Sequence, residues 1–256
     1  MTFGSLFAGI GGFDLGFERA GMRCVWQVEI DDYCRQVLTK HWPDVPKWDD
    51  VRTFTGEGFE RPDVICGGFP CQDISVAGKG EGLAGERSGL WTEYLRIVCV
   101  VRPKFFVVEN SAAILYRGMG TILGDMARIG FNAEWRVFSA YEFGAPHERE
   151  RVYIVAHSNE INGEKRLGFV ENGAGKIFNG SLPTRLPFWL QATSGFIGMD
   201  DGIPAATYRN RVGAIGNAVV PQVAEWIGRR LMDANPPSST HPAAPHEPPG
   251  DPQCTS

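Results

Sequence analysis

From Thr2 to Ala156, short apolar runs alternate with stretches of helical period, and few folds accommodate that order. Residues 2–8, 24–28, 64–66, 104–108, 134–140 and 151–156 read as strands. Residues 13–21, 31–41, 90–101 and 118–129 read as helices, the second capped by Asp31 or Asp32. This alternation predicts an α/β fold with a doubly wound, mostly parallel sheet. Ligands of such sheets bind at the carboxyl ends of the strands. The residues that leave each strand end therefore carry most of the functional information.

The most telling of these exits is Gly67-Gly68-Phe69-Pro70-Cys71-Gln72, after the strand Val64-Ile65-Cys66. Two glycines are expected to break the strand and turn the chain, and Pro70 to stiffen the turn. Cys71 then stands on a loop at a strand's carboxyl end. A lone cysteine is more often a small buried hydrophobe. Here Gly, Gly and Pro describe a loop rather than a core strand.

A second exit is Ser5-Leu6-Phe7-Ala8-Gly9-Ile10-Gly11-Gly12-Phe13, read as strand, glycine turn and helix start. Glycine lets a nucleotide-type ligand approach the backbone closely. The spacing is not the dinucleotide fingerprint, so it does not indicate a pyrophosphate. Glu29 ends the next strand, where an acid can hold ribose hydroxyls. Asp50, further on, can accept from an adenine amino group. A glycine loop followed by two such acids suits an adenosine ligand without phosphates, of the S-adenosylmethionine kind.

Composition narrows the setting. The 256 residues are 43% hydrophobic and 21% charged, ordinary globular values, with a net charge of -5. A nucleic-acid partner would have to meet local positive charge. The six cysteines show neither zinc spacing nor a disulfide framework, so no metal is expected and a reduced cytoplasm is the expected home. Thr2 leads almost directly into a strand, and no apolar run is long enough for a membrane span, so neither a signal peptide nor a membrane partner is expected.

Five stretches, taken in order, resemble the DNA (cytosine-5) methyltransferases of bacteria and phages. Ser5 to Phe13 resembles their first motif, and Gly67 to Gln72 their Pro-Cys loop. Val107-Val108-Glu109-Asn110 resembles their Glu-Asn motif. His147-Glu148-Arg149-Glu150-Arg151 resembles their Gln-x-Arg-x-Arg motif, with His147 in place of Gln. Gly216-Asn217-Ala218-Val219-Val220-Pro221 resembles their closing motif. The matches run from about residue 3 to 231.

The resemblance implies a Rossmann-like class I methyltransferase that moves a methyl group from S-adenosyl-L-methionine to carbon 5 of a flipped-out cytosine in double-stranded DNA. Cys71 would add to carbon 6, Glu109 would meet ring nitrogen 3, Arg149 the base carbonyl, and Arg151 would support the acid. Phe69, Pro70, Gln72 and Ser75 would line the base pocket. Phe7, Gly9, Gly11, Gly12, Glu29, Ile30, Asp50, Val51, Leu90, Asn217 and Val219 would hold the cofactor. Ile30 stands where the family often has an aromatic ring. Asp73 to Gly89 resembles the family's loop that closes over DNA. A monomer is expected, with a cognate restriction endonuclease as functional counterpart.

The expected organisation is a catalytic and cofactor-binding domain over 1–156, a reduced target-recognition region over 157–205, a closing segment over 206–232 with a helix near 221–232, and a disordered tail over 233–256. So small a recognition region is expected to read only about two to four base pairs. The same chemistry on RNA cytosine and a catalytically weak DNA-binding relative remain alternatives at this stage.

Overall fold

In the computed structural model, the residues described are 1–70, 89–145, 148–158 and 214–235. Cys71, Gln72, Ser75, His147, most of the recognition region and most of the tail lie outside them.

Among the described residues there are seven strands, the six expected and a short β3 that the sequence reading missed: β1 (Thr2–Leu6), β2 (Arg23–Val28), β3 (Lys47–Trp48), β4 (Val64–Gly68), β5 (Phe105–Ser111), β6 (Phe131–Ser139) and β7 (Glu150–Ser158). They form one sheet in the order β3-β2-β1-β4-β5-β7-β6. β7 alone runs antiparallel to its neighbours β5 and β6. Helices among the described residues include α1 (Gly12–Arg19), α2 (Asp32–His41), α3 (Gly89–Val101), α4 (Ile114–Arg117), α5 (Met119–Arg128) and α6 (Pro221–Ala234). Asp31 caps α2, its carboxylate accepting from the Cys34 N–H at 2.9 Å. The doubly wound, mostly parallel α/β expectation therefore holds.

Two apolar layers flank the sheet. Phe13 and Phe17 of α1 and Val223, Trp226, Ile227 and Leu231 of α6 bury one face. Trp91, Tyr94, Ile97 and Val98 of α3 and Ile122 and Met126 of α5 bury the other. The chain direction across the sheet reverses between β1 and β4, which are hydrogen-bonded neighbours. In sheets of this kind ligands bind at such a switch point, outside the carboxyl ends of the strands.

Several readings of strand ends need correction, among them β6, which begins at Phe131 rather than at 134. β4 runs through Gly67 and Gly68 instead of breaking at them. These glycines serve close approach, not a turn: a Cβ on Gly67 would lie 2.3 Å from the Leu6 carbonyl oxygen, and one on Gly68 2.5 Å from Glu109 Oε2. β1 stops at Leu6, because Phe7 takes a left-handed φ of 51° that no strand tolerates. β5 extends beyond Glu109 to Ser111, and β7 begins at Glu150 and continues to Ser158, because the two pair residue for residue from Ser111↔Arg151 to Phe105↔His157.

Candidate active site

The register of the sheet assembles the site. Gly68 of β4 stands beside Glu109 of β5, and Glu109 beside Tyr153 of β7. Paired residues point to the same face. Arg151, two residues before Tyr153, therefore projects onto Glu109's face, and its Nε lies 3.0 Å from Glu109 Oε1. Gly68 has no side chain, and the Glu109 carboxylate occupies the space a side chain there would need.

Glu109 is buried, 7% exposed. Burial pushes its carboxyl up to about 6 from the usual 4.5, against the opposing pull of Arg151 and Arg149. At neutral pH the group can thus hold or release a proton at small cost. Burial, and then the neighbouring Arg151, lower the Arg149 guanidinium's pKa. Arg149 Nη1 donates to the Gly216 carbonyl, tying the β7 entry to the returning chain. Its Nε is buried without a hydrogen-bond partner among the described residues.

The approach to Cys71 is fixed from below. Phe69 is buried and its ring lies 5.4 Å from that of Trp91. Trp91 Nε1 donates to Asp125 at 2.9 Å. Asn110 Nδ2 donates to the Phe69 carbonyl at 2.9 Å, joining the Glu109 strand to the loop that leads to Cys71. Pro70, the last residue described before Cys71, is exposed at the carboxyl edge.

The glycine loop leaves the carboxyl end of β1 and leads into α1. Gly9 and Gly11 have φ of 57° and 88°, where a side chain would be strained. A Cβ on Gly12 would lie 2.4 Å from the Val219 carbonyl oxygen, so the closing segment packs directly on the loop. Glu29 latches the loop to β2: Gly9 N–H donates to Oε2 at 2.7 Å and Asp31 N–H to Oε1 at 2.8 Å. A carboxylate has about four acceptor positions, so capacity for hydroxyl donors remains. The Phe7 ring stacks near Tyr94, 6.3 Å between centroids.

The remaining expected cofactor residues lie on several segments of the chain. Val51 is buried, and Leu90 packs on the core. Ile30 is 61% exposed and Asn217 is exposed. Asp50 Oδ1 accepts from Arg52 N–H at 3.0 Å and from Arg52 Nε at 3.1 Å. Those bonds, the backbone one first, hold the Asp50 carboxyl below its usual range. The loop geometry fits an adenosine ligand: Gly9 faces open space, and an acid stands beside it. Among the described residues no group of three His, Cys, Asp or Glu side chains could hold a metal ion.

Several supporting residues escaped the sequence reading. Arg96 donates to the Val51 and Phe54 carbonyls at 2.8 and 2.9 Å, holding the loop after β3 against α3. Asp14, fully buried, accepts from Ser5 Oγ at 3.0 Å and Gln27 Nε2 at 2.7 Å, and burial raises its pKa. No motif or period marks such contacts between distant segments.

Comparison with known proteins places this geometry in a family. A family model described as C-5 cytosine-specific DNA methylase matches residues 1–184. The Type II methyltransferase M.NgoFVII of Neisseria gonorrhoeae is 38% identical over 157 residues, 59% of this chain and 42% of that protein. M.HhaI of Haemophilus parahaemolyticus is 31% identical over 166 residues, 63% of this chain and 50% of that protein. The chain thus spans half or less of the length of these curated relatives. The solved structure of the Entamoeba histolytica methyltransferase EhMeth shares the fold, with a TM-score of 0.64, 15% identity and coverage of 91% of this chain and 98% of that one. With its strand order, its glycine loop and its buried Glu109–Arg151 pair set beside these matches, the chain belongs to the C-5 cytosine-specific DNA methylase family.

Proposed function

We propose that this protein transfers a methyl group to carbon 5 of a cytosine flipped out of duplex DNA. The observation that carries the reading is the buried Glu109, paired with Arg151 and standing beside Gly68, three residues before Cys71 in sequence. S-adenosyl-L-methionine, bound at the glycine loop, supplies the electrophilic methyl group.

Carbon 5 of cytosine is a weak nucleophile. Addition of the Cys71 thiolate to carbon 6 raises electron density at carbon 5. Negative charge then develops on the ring around nitrogen 3 and the carbonyl. Glu109, carrying a proton, donates to nitrogen 3 and neutralises that charge. Arg149 meets the carbonyl oxygen, while Arg151 fixes the Glu109 rotamer. Both arginines also keep the carboxyl from climbing further in pKa, so its proton stays exchangeable. Carbon 5 takes the methyl group and S-adenosyl-L-homocysteine leaves. Solvent water removes the carbon-5 proton, and expulsion of the Cys71 thiolate with return of the nitrogen-3 proton to Glu109 completes the reaction. Phe69, Pro70, Gln72 and Ser75 line the pocket for the base.

Glu29 takes the ribose hydroxyls, Asp50 and Val51 border the adenine, and Phe7, Gly9, Gly11, Gly12, Ile30, Leu90, Asn217 and Val219 complete the cofactor's surroundings. The catalytic domain ends with β7, and the residues between it and the closing segment read the target. No helix among the described residues is long and apolar enough to cross a membrane. We assign the protein to the bacterial cytoplasm, as a monomer whose functional counterpart is a restriction endonuclease. Bisulfite sequencing of a host expressing the chain tests the whole reading. Methylated cytosines in one short sequence context are expected, and an unmethylated genome contradicts it.

A further inference from the structure

β5 does not end at the site. It climbs from Glu109 through Asn110 and Ser111 to the carboxyl rim and turns there into α4. Two strand steps of about 3.3 Å, a short turn and one helical turn of about 5.4 Å separate Glu109 from the far end of α4. Tyr116 therefore stands within roughly 20 Å of the carboxylate that would receive the base. DNA advances about 3.4 Å per base along a strand, so this rim lies within about six base pairs of a flipped base.

Ile114 is buried in the core, and Leu115 packs against it. The Leu115, Tyr116 and Gly118 N–H groups donate to the Ala112, Ala113 and Ile114 carbonyls at 3.2, 3.2 and 3.0 Å. The turn is thus held rigidly. On its outer side it presents Tyr116, 91% exposed, the most exposed large apolar side chain among the described residues, and next to it Arg117, also exposed. Among the described residues neither side chain has a hydrogen bond, ion pair or ring partner. Scattered surface rings are common and need no explanation. This one is held on a fixed turn at the rim, beside an unpaired cation, in a chain of net charge -5. A rigid aromatic ring next to a guanidinium suits sugar and base edges on one side and a phosphate on the other.

We propose that Tyr116 and Arg117 form a duplex-DNA contact on the α4 rim, flanking the base held at Glu109. The contact rests on the reading of the site as a DNA methyltransferase centre. Tyr116 packs on a nucleotide within about six base pairs of the flipped one, and Arg117 neutralises a phosphate next to it.

The test uses the full chain, a fluorescently labelled cytosine-containing duplex and S-adenosylhomocysteine, with anisotropy titrations at several salt concentrations. Tyr116→Ala is expected to weaken duplex binding at least about fivefold, and Tyr116→Phe to retain it. Arg117→Ala is expected to lower the slope of log affinity against log salt by about 0.9. Calorimetric cofactor affinity should be the same in all variants, because neither residue touches the glycine loop. Wild-type binding that Tyr116→Ala leaves unchanged, or an unaltered salt slope in Arg117→Ala, overturns the contact alone. So does a loss of binding that tracks a change in oligomeric state by light scattering, which would make the patch a contact between copies of the chain. A wild-type chain that binds no duplex overturns both the contact and the functional reading beneath it.

Discussion

Asn110 Nδ2 donates to the carbonyl oxygen of Phe69 at 2.9 Å, although 41 residues separate them in sequence. The bond couples the strand bearing Glu109 to the loop leading to Cys71. Asn110 Oδ1 is held in turn by the Ser111 N–H at 2.8 Å, which fixes the amide's orientation. Asn110→Ala leaves the Phe69 carbonyl unpaired in a buried setting, at a cost of about 1–3 kcal/mol. The expected outcome is a turnover number at least about tenfold lower with cofactor affinity unchanged. Single-turnover kinetics alongside calorimetry would show it, and an unchanged turnover number would remove Asn110 from loop positioning.

Glu109 makes folding depend on pH. Its folded pKa of about 6 lies above the usual 4.5. Below 4.5 both folded and unfolded chains carry the proton, and the group contributes nothing. Between 4.5 and 6 only the folded chain retains it, so stability falls as pH rises through this window and stays lower above it. The loss from this one group is about 2 kcal/mol. Glu109→Gln removes it. Relative to wild type, the variant should gain about 1–2 kcal/mol between pH 5 and 7.5, read from urea unfolding at both values. Parallel behaviour of the two proteins would show that the carboxyl is not raised.

Gly67 and Gly68 separate stability from activity. A methyl group on Gly67 meets backbone, the Leu6 carbonyl, and β1 and β4 must part to admit it. Gly67→Ala should destabilise the fold by about 1–3 kcal/mol, visible in thermal unfolding. A methyl group on Gly68 meets a side chain instead, the Glu109 carboxylate. Gly68→Ala should displace that carboxylate and reduce methyl transfer by an order of magnitude or more, with a smaller loss of stability. The reverse ranking of the two variants would contradict this division.

The same pair shows where the sequence was legible. Alternating apolar runs predicted the sheet because period and burial are local properties of the chain. In sequence the two glycines suggest a turn, because glycine's freedom is also local. Their real constraint is the approach of Leu6 and Glu109, residues 61 and 41 positions away, and no local pattern carries that. Glu109 alone resembled a surface carboxylate at a strand end. Only the pairing of β5 with β7 carries the strand past it and buries it. Asp31, by contrast, was legible as a helix cap because the bond it makes lies within three residues. Arg96 and Asn110 were not, since each bonds a backbone carbonyl more than 40 positions away.

Glu29 has two tasks that one substitution separates. It holds the Gly9 and Asp31 N–H groups, and it offers acceptors to a ribose. Glu29→Ala should weaken S-adenosylmethionine binding by about 1.5–3 kcal/mol. Glu29→Gln keeps one acceptor for the loop but loses the charge, and should fall between. Calorimetry with equal affinities across the three proteins would place the ribose elsewhere.

The central claim is methyl transfer to duplex DNA through Cys71, and a radiolabelled methyl-transfer assay on duplex DNA with wild type and Cys71→Ser tests it most directly. An alkoxide forms far less readily than a thiolate, while base flipping and cofactor binding do not need the sulfur. Wild type should label the duplex, and Cys71→Ser should lose labelling while still binding both DNA and cofactor. Appreciable labelling by Cys71→Ser, or label from wild type appearing on RNA and not on DNA, would contradict the account.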